Sequence, residues 1–210
     1  DWHHTTLEPD GIFILSVESG NTPDTKEELN WNGDIPWLAP REITKPRHTL
    51  YLSKTEKYIT NEALKKGGVK LMPPQTVMLT KRAPVGAVAI NKIPMSTNQG
   101  FLNFICGPKL RPAYLAYWLK GNKKYLDKVA NGSTYPELYR SDLFEFKIAI
   151  PSLEQQDMII NALDSFAKLK ILNLLLEESE VNKDTEEVNL TSKLESELLI
   201  ALLSGEIEIV

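Results

Sequence analysis

The chain of 210 residues contains a single cysteine, Cys106, and only three histidines. One cysteine excludes an internal disulfide and any all-cysteine metal site. Set within Asn103-Phe104-Ile105-Cys106-Gly107, it reads as a small buried hydrophobe rather than a nucleophile. His3 and His4 are terminal, where a flexible solvated segment is expected in preference to a weak metal site; His48 lies in a basic stretch. No apolar run is long enough to span a bilayer. No basic start followed by an apolar stretch marks a secretory leader, so the cytoplasm is the expected compartment.

Catalytic signatures are missing as well. There is no G-x-G-x-x-G, no P-loop, no G-x-S-x-G and no H-E-x-x-H. Pro23-Asp24 lacks the following acidic-x-Lys of a nuclease metal site, and the Pro-Pro tetrapeptide of amino-methylating enzymes is absent. Pro73-Pro74, between Met72 and Gln75, reads as a turn. Neither a hydrolase nor a transferase centre is expected, and no metal or cofactor of the chain's own.

What the chain does have is ordinary globular composition, 42% apolar and 25% charged, with charge sorted by position. Residues 41–147 hold 19 Lys/Arg against 7 Asp/Glu, a net of +12. Residues 1–40 carry −7 and residues 151–210 carry −9, so the total of −4 hides the asymmetry. Such sorting points to a polyanionic partner for the middle segment; a merely solvated basic face is the alternative.

The first 150 residues are punctuated by Pro and Gly and read as β-rich. Ile12–Val17 reads as a buried strand or a short helix, and strands are expected at Ile35–Leu38, Val77–Leu79, Val85–Ile90, Asn98–Ile105 and Ile148–Ile150. Gly20-Asn21-Thr22-Pro23 and Trp31-Asn32-Gly33-Asp34 read as turns. Pro112 opens a helix that stops near Gly121, and a second short helix covers 122–130; residues 141–147 fit either type. The texture then changes. Ser152-Leu153-Glu154-Gln155 is a capping box, and no Gly or Pro interrupts the chain from there to Leu176. Ile160, Leu163, Phe166 and Leu172 lie on one apolar stripe of a helix over about 152–176. After a polar stretch, Leu194, Leu198 and Leu202 repeat every four residues on a second helix, about 190–204, which Gly205 ends. These stripes can bury against each other, against the body, or against another chain.

Three groups are rich in side chains suited to bases and phosphates: Thr80-Lys81-Arg82, Ser96-Thr97-Asn98-Gln99 and Asn131-Gly132-Ser133-Thr134-Tyr135. Each alone reads equally as a turn that satisfies its own backbone. Their occurrence inside one +12 segment favours DNA.

In order along the chain stand Gly20-Asn21-Thr22-Pro23, Gly33-Asp34-Ile35-Pro36-Trp37, Val77-Met78-Leu79-Thr80-Lys81-Arg82-Ala83-Pro84-Val85-Gly86, Thr97-Asn98-Gln99-Gly100-Phe101, Gly132-Ser133-Thr134…Glu137-Leu138 and Ile150-Pro151-Ser152-Leu153-Glu154-Gln155-Gln156. With the closing Leu202-Leu203-Ser204-Gly205-Glu206-Ile207, that series resembles the target-recognition half of the DNA-specificity subunit of type I restriction–modification enzymes. The resemblance implies an α/β (mixed α+β) target-recognition domain over residues 1–151 and a C-terminal long-helix, coiled-coil region over 152–210. It implies a non-catalytic subunit that reads double-stranded DNA and docks an adenine-N6 methyltransferase subunit, often with an ATP-driven restriction subunit. S-adenosylmethionine, ATP and Mg would enter only through those partners. One recognition domain and one helical region suit a half-length form that pairs with a second copy, a fragment, or the recognition portion of a fused enzyme.

The resemblance also divides the residues. Signature positions Pro36, Trp37, Gly86, Asn98, Gln99 and Gly100 should build the scaffold, since the family reads many sequences with the same signature. DNA contact should fall to Arg41, Lys45, Arg47, His48, Lys65, Lys66, Lys70, Lys81, Arg82, Thr134, Tyr135 and Arg140. Two other readings stay open: a protein-interaction adaptor whose basic face is incidental, and a degenerate nuclease or methyltransferase.

Overall fold

The computed structural model describes residues 2–45, 49–66, 68–82, 84–130 and 136–179, together with residue 197. In chain order its elements are β1 (His3–Thr6), β2 (Ile14–Ser19), β3 (Trp31–Leu38), α1 (Pro40–Ile43), β4 (Tyr51–Leu52), β5 (Lys57–Ile59) and α2 (Asn61–Lys65). Then follow β6 (Val77–Thr80), β7 (Val88–Asn91), β8 (Ser96–Thr97), β9 (Phe101–Cys106), α3 (Pro112–Gly121), α4 (Lys123–Ala130), α5 (Arg140–Phe144), β10 (Lys147–Ile150) and α6 (Leu153–Ser179).

The main sheet has the order β2-β9-β6-β7-β4, antiparallel except for β7 with β4. Its central strands are buried on both faces because side chains alternate along a strand. Val77 and Leu79 of β6 register with Ile90 and Val88 of β7 and point to one side. Met78 and Ala89 point to the other, against Leu38, Ile43, Met95 and Phe101. This two-sided burial explains why the strands read as continuous apolar runs.

The first face is covered by α3, in which every residue from Ala113 to Leu119 is buried. A helix apolar all round belongs inside, and Pro112 at its first turn lacks the N–H that would be unpaired there. Each large side chain so buried, such as Leu115 or Leu119, contributes about 1.5–3 kcal/mol. A smaller sheet, β5-β3-β8, packs Trp37, Ile59, Ala63 and Val69 into a separate cluster with α2.

The long helix starts as part of this body. Ser152 N and Gln155 Oε1, and Gln155 N and Ser152 Oγ, form the expected capping box at 3.3 Å each. Gln156 is fully buried: its Oε1 accepts from Arg111 N at 2.8 Å, and its Nε2 donates to Lys109 O and Pro151 O at 3.0 and 2.9 Å. Arg111 grips Asp157 with two 2.9 Å bonds, and Tyr117 Oη donates to Asp164. Ile159 and Leu163 therefore lie in the main core. Of the open choices for the apolar stripe, Leu163 takes the body: it is 3% exposed and packed in the main core, Ile160 packs partly against the same core and Phe166 is half-buried. The side chain of Leu172, the residues Leu194, Leu198 and Leu202, and the second helix of 190–204 lie outside the described residues apart from the helical Glu197.

Several local expectations change. His3 and His4 are not a loose terminus: β1 pairs with β10, His3 opposite Ile150, and the His3 ring stacks on Phe13 at 4.8 Å. Among the described residues no group of three or more His, Cys, Asp or Glu could hold a metal ion. Trp31–Asp34 is not a turn between elements but a bulge inside β3, where Trp31 and Ile35 both register with Ile59. Asn32 takes φ +61° there. Val85–Ala87 forms the β6–β7 turn, with Gly86 at φ +88°, so β7 begins only at Val88. Residues 141–144 are helical, and the long helix continues to Ser179. No described helix is long and apolar enough to cross a membrane.

Candidate nucleic-acid interface

Strand register brings distant segments to one end of the main sheet. Ser19 of β2 lies opposite Leu102, and Thr80 of β6 opposite Phe101, so the end of β2, the start of β9 and the end of β6 coincide. Three loops leave from there and are bonded to one another. Asn21 N donates to Thr97 O at 2.9 Å, Lys81 N to Gly100 O at 2.9 Å, and Asn98 N to Leu38 O at 3.0 Å. Thr22 Oγ1 donates to Gln99 Oε1 at 2.6 Å. Two of the three polar groups are thus neighbours. The third, residues 131–135, is outside the described residues, but the chain emerging from it is anchored here: Leu138 N donates to Lys81 O at 2.8 Å, and Arg82 and Glu137 form a bridge.

Much of the polarity at this end is internal. Thr80, Ser96, Thr97 and Asn103 are fully buried. Asn103 Nδ2 donates to Thr97 Oγ1 at 2.9 Å and Glu18 O at 3.2 Å; Thr80 Oγ1 donates to Pro84 O at 2.7 Å and accepts from Ala87 N at 2.9 Å. These hydrogen bonds shape the loops, and Asn103 Oδ1 is left buried without a hydrogen-bond partner. Trp37 is buried, and its Nε1 holds Asn21 O at 3.0 Å. Asn98 Oδ1 accepts from Gly100 N at 2.8 Å, and a Cβ on Gly100 would stand 3.0 Å from Pro40 Cγ. Gln99 is exposed, with its Oε1 already engaged by Thr22.

The exposed chemistry is cationic. Lys81 and Arg82 follow β6 directly. Arg140 donates to Val17 O near the end of β2. Lys66 and Lys70 flank a loop that passes against Asn21, where a Cβ on Gly68 would lie 2.7 Å from Asn21 Nδ2. Arg41 and Lys45 follow Pro40, which packs on Gly100, so they sit beside this end. Lys65 faces Glu62 on α2 at 3.2 Å. Arg47, His48, Thr134 and Tyr135 fall outside the described residues.

Each of the eight described candidate cations has an acceptor within the chain. Lys66 pairs with Glu27 and Lys70 with Glu18. Lys81 and Arg82 share Glu137, at 2.8 and 3.9 Å; Arg41 and Lys45 share Glu56, at 2.7 and 2.6 Å. Glu18 and Glu27 come from the acidic first 40 residues. Charges sorted along the chain are therefore partly matched in space. The Lys70 ammonium hydrogen-bonded to Glu18 holds that carboxyl below its usual range, and Lys45, with Arg41, does the same for Glu56.

One feature has no counterpart among the expected residues. The β3 bulge and β5 enclose a recess of about 410 Å³ lined by Trp31, Asn32, Gly33, Glu56, Lys57 and Tyr58. Trp31 is fixed by Nε1 donating to Asp24 O at 3.1 Å and by the edge of Trp37, with Lys57 Nζ over its ring at 5.3 Å. The recess offers an aromatic face with an amide, a carboxylate and an amine around it. The sequence signal was Trp31-Asn32-Gly33, which reads as a turn.

Cys106 is partly buried at the end of β9, and desolvation there pushes its thiol up to about 12.

Residues 10–180 match the family described as the type I restriction modification DNA specificity domain. The chain is 41% identical over 158 residues to the type I restriction enzyme MjaIX specificity subunit of Methanocaldococcus jannaschii, an alignment covering 74% of this chain and 36% of that protein. It is 28% identical over 157 residues to the EcoR124I/EcoR124II specificity subunit of Escherichia coli, covering 71% and 38%. The fold resembles the HsdS subunit of Thermoanaerobacter tengcongensis with a TM-score of 0.62 at 18% identity, over 98% of this chain and 45% of that one. The chain thus spans less than half the length of these relatives. The match of residues 10–180, with 41% identity to one specificity subunit, places the chain in the type I restriction–modification DNA specificity family, and its mixed α/β fold agrees.

Proposed function

We propose that the chain binds double-stranded DNA at a preferred sequence as the non-catalytic specificity component of a type I restriction–modification assembly, in the cytoplasm. It directs an adenine-N6 methyltransferase subunit, and with it a restriction subunit, to the site. S-adenosylmethionine, ATP and Mg belong to those partners. The observation that carries this reading is the convergence of Gly20–Thr22, Thr80–Arg82 and Asn98–Gly100 at one sheet end, bordered by Lys66, Lys70 and Arg140. Loops that share a rigid base can vary their tips without disturbing it, which suits a fold that reads different sequences. The helices beyond the body, through Phe166, Leu172, Leu194, Leu198 and Leu202, act as a coiled-coil spacer. They pair with a second copy or a second recognition domain, so that an interrupted two-part site is read.

The test is duplex binding across a range of salt, with the methyltransferase subunit present. The proposal expects affinity that falls steeply with salt and favours one sequence. Absent or salt-insensitive binding contradicts it. The pairing of every described candidate cation with an internal acceptor favours a second reading, an adaptor that docks proteins through its helices. That reading expects partner binding to survive replacement of Lys81 and Arg82 by Ala, with no duplex bound at low salt.

A further inference from the structure

Among the described residues, two carboxylates are each ion-paired with two cations. Arg41 Nη2 lies 2.7 Å from Glu56 Oε2, and Lys45 Nζ lies 2.6 Å from Glu56 Oε1. Lys81 Nζ lies 2.8 Å from Glu137 Oε1, and Arg82 Nη1 lies 3.9 Å from Glu137 Oε2. The other candidate cations are arranged differently: Lys65, Lys66 and Lys70 each bond a separate glutamate, and Arg140 bonds a backbone carbonyl and attracts Glu18 without a hydrogen bond to it.

An anion with two oxygens, one facing a guanidinium and the other an ammonium, has the shape and charge of a backbone phosphate in the same place. In both cases the cations are close in sequence, Arg41 with Lys45 and Lys81 with Arg82, so each pair is preset by local structure. In both cases the carboxylate comes from elsewhere in the chain. The Glu56 seat is open, with Arg41 65% and Lys45 62% exposed; the Glu137 seat is more enclosed, with Lys81 18% and Arg82 41% exposed.

We infer that Arg41–Lys45 and Lys81–Arg82 are two seats for DNA backbone phosphate, and that Glu56 and Glu137 occupy them as internal surrogates until a duplex displaces them. The inference rests on the duplex-binding reading and deepens it, assigning these four cations to the backbone rather than to base edges. Displacing a surrogate costs the same on every sequence. Random DNA is therefore held weakly, and only a duplex that adds base contacts overcomes the barrier.

The experiment measures dissociation constants of the full chain for a random-sequence duplex over a salt series. E56Q and E137Q each keep side-chain shape and release one net positive charge. Each should steepen the logarithmic salt slope by about 0.9 and tighten binding roughly fivefold to tenfold at 0.1 M salt. E154Q removes the same charge from the first turn of α6, which sits beside Lys109 at the opposite end of the sheet; it should behave as wild type. The double variant Arg41→Ala with Lys45→Ala should weaken all sequences alike and flatten the slope. Thermal unfolding checks that each variant folds, and the exposed Glu56 seat decides the matter if E137Q does not. If E56Q binds no better than E154Q, the inference is overturned while wild-type binding leaves the DNA reading standing. Failure of wild type and all variants to bind any duplex, with the methyltransferase subunit also supplied, overturns both.

Discussion

Gly20 passes so close to Asn98 that a Cβ on it would stand 2.1 Å from the Asn98 carbonyl oxygen and 2.2 Å from Thr97 Oγ1. The two loops at this end of the main sheet touch closely, and no side chain fits between them. G20A should force them apart and cost about 1–3 kcal/mol, read as a lower urea midpoint. Gly11 is the contrast, with φ +74° but nothing within 4 Å of its added Cβ, so G11A pays only for backbone conformation, about 1–2 kcal/mol. Loss of duplex affinity should accompany G20A alone.

Gln156 is the plug between α3 and α6. Q156L removes the partner of the Arg111 N–H and of the carbonyls of Lys109 and Pro151, the last of them buried and the other two part-buried. A fully buried orphaned group costs about 1–3 kcal/mol and a part-buried one sits at the low end of that range, so a total of at least about 3 kcal/mol is expected. The exposed neighbour Glu154 should tolerate E154Q within about 0.5 kcal/mol. Equal stability of the two variants by chemical denaturation would refute the plug.

Glu18 gives stability a pH dependence of known sign. Its hydrogen bond to Lys70 lowers its pKa in the folded chain below the ordinary 4.5. A depressed carboxylate stabilises fully above its unfolded value and loses that contribution as pH falls through the folded value. The stability difference between wild type and E18Q should be constant from pH 7 to about 5.5, shrink below 4.5 and vanish in stronger acid. A difference that grows on acidification would contradict the pairing.

Cys106 should be silent. With its thiol pushed up to about 12 by burial, almost none is thiolate at pH 8. A disulfide reagent should label the folded chain far more slowly than the chain in denaturant. Equal rates would mean that the end of β9 is open to solvent.

How far the sequence reveals all this depends on the range of the interaction. Pro112 and Gly121 bracket α3, and Ser152 and Gln155 open α6, because helix ends are written in neighbouring residues. The two-sided burial of β6 and β7 is legible as continuous apolar character. The bulge at Asn32-Gly33 is not, since its residues are those of a turn; only the pairing of β3 with β5 makes it part of a strand, with a Cβ on Gly33 falling 2.5 Å from Ile59 O. The strand at His3 needs β10, nearly 150 residues away. The same holds for the site. The excess of Lys and Arg between residues 41 and 147 is visible at once, whereas the placement of Glu18 against Lys70 or Glu27 against Lys66 leaves no local trace. Sequence thus marks Lys81, Arg82 and Arg140 as candidates without indicating that carboxylates already hold the first two.

Duplex DNA titrated into isotopically labelled chain, with backbone amides followed by NMR, locates the DNA-binding surface even when binding is weak. Shifts should concentrate at Gly20–Thr22, Lys81–Arg82 and Asn98–Gly100, with Gly107–Arg111 at the far end of the sheet unmoved. Shifts centred on the far end, or none at any duplex concentration, would contradict this placement of the surface.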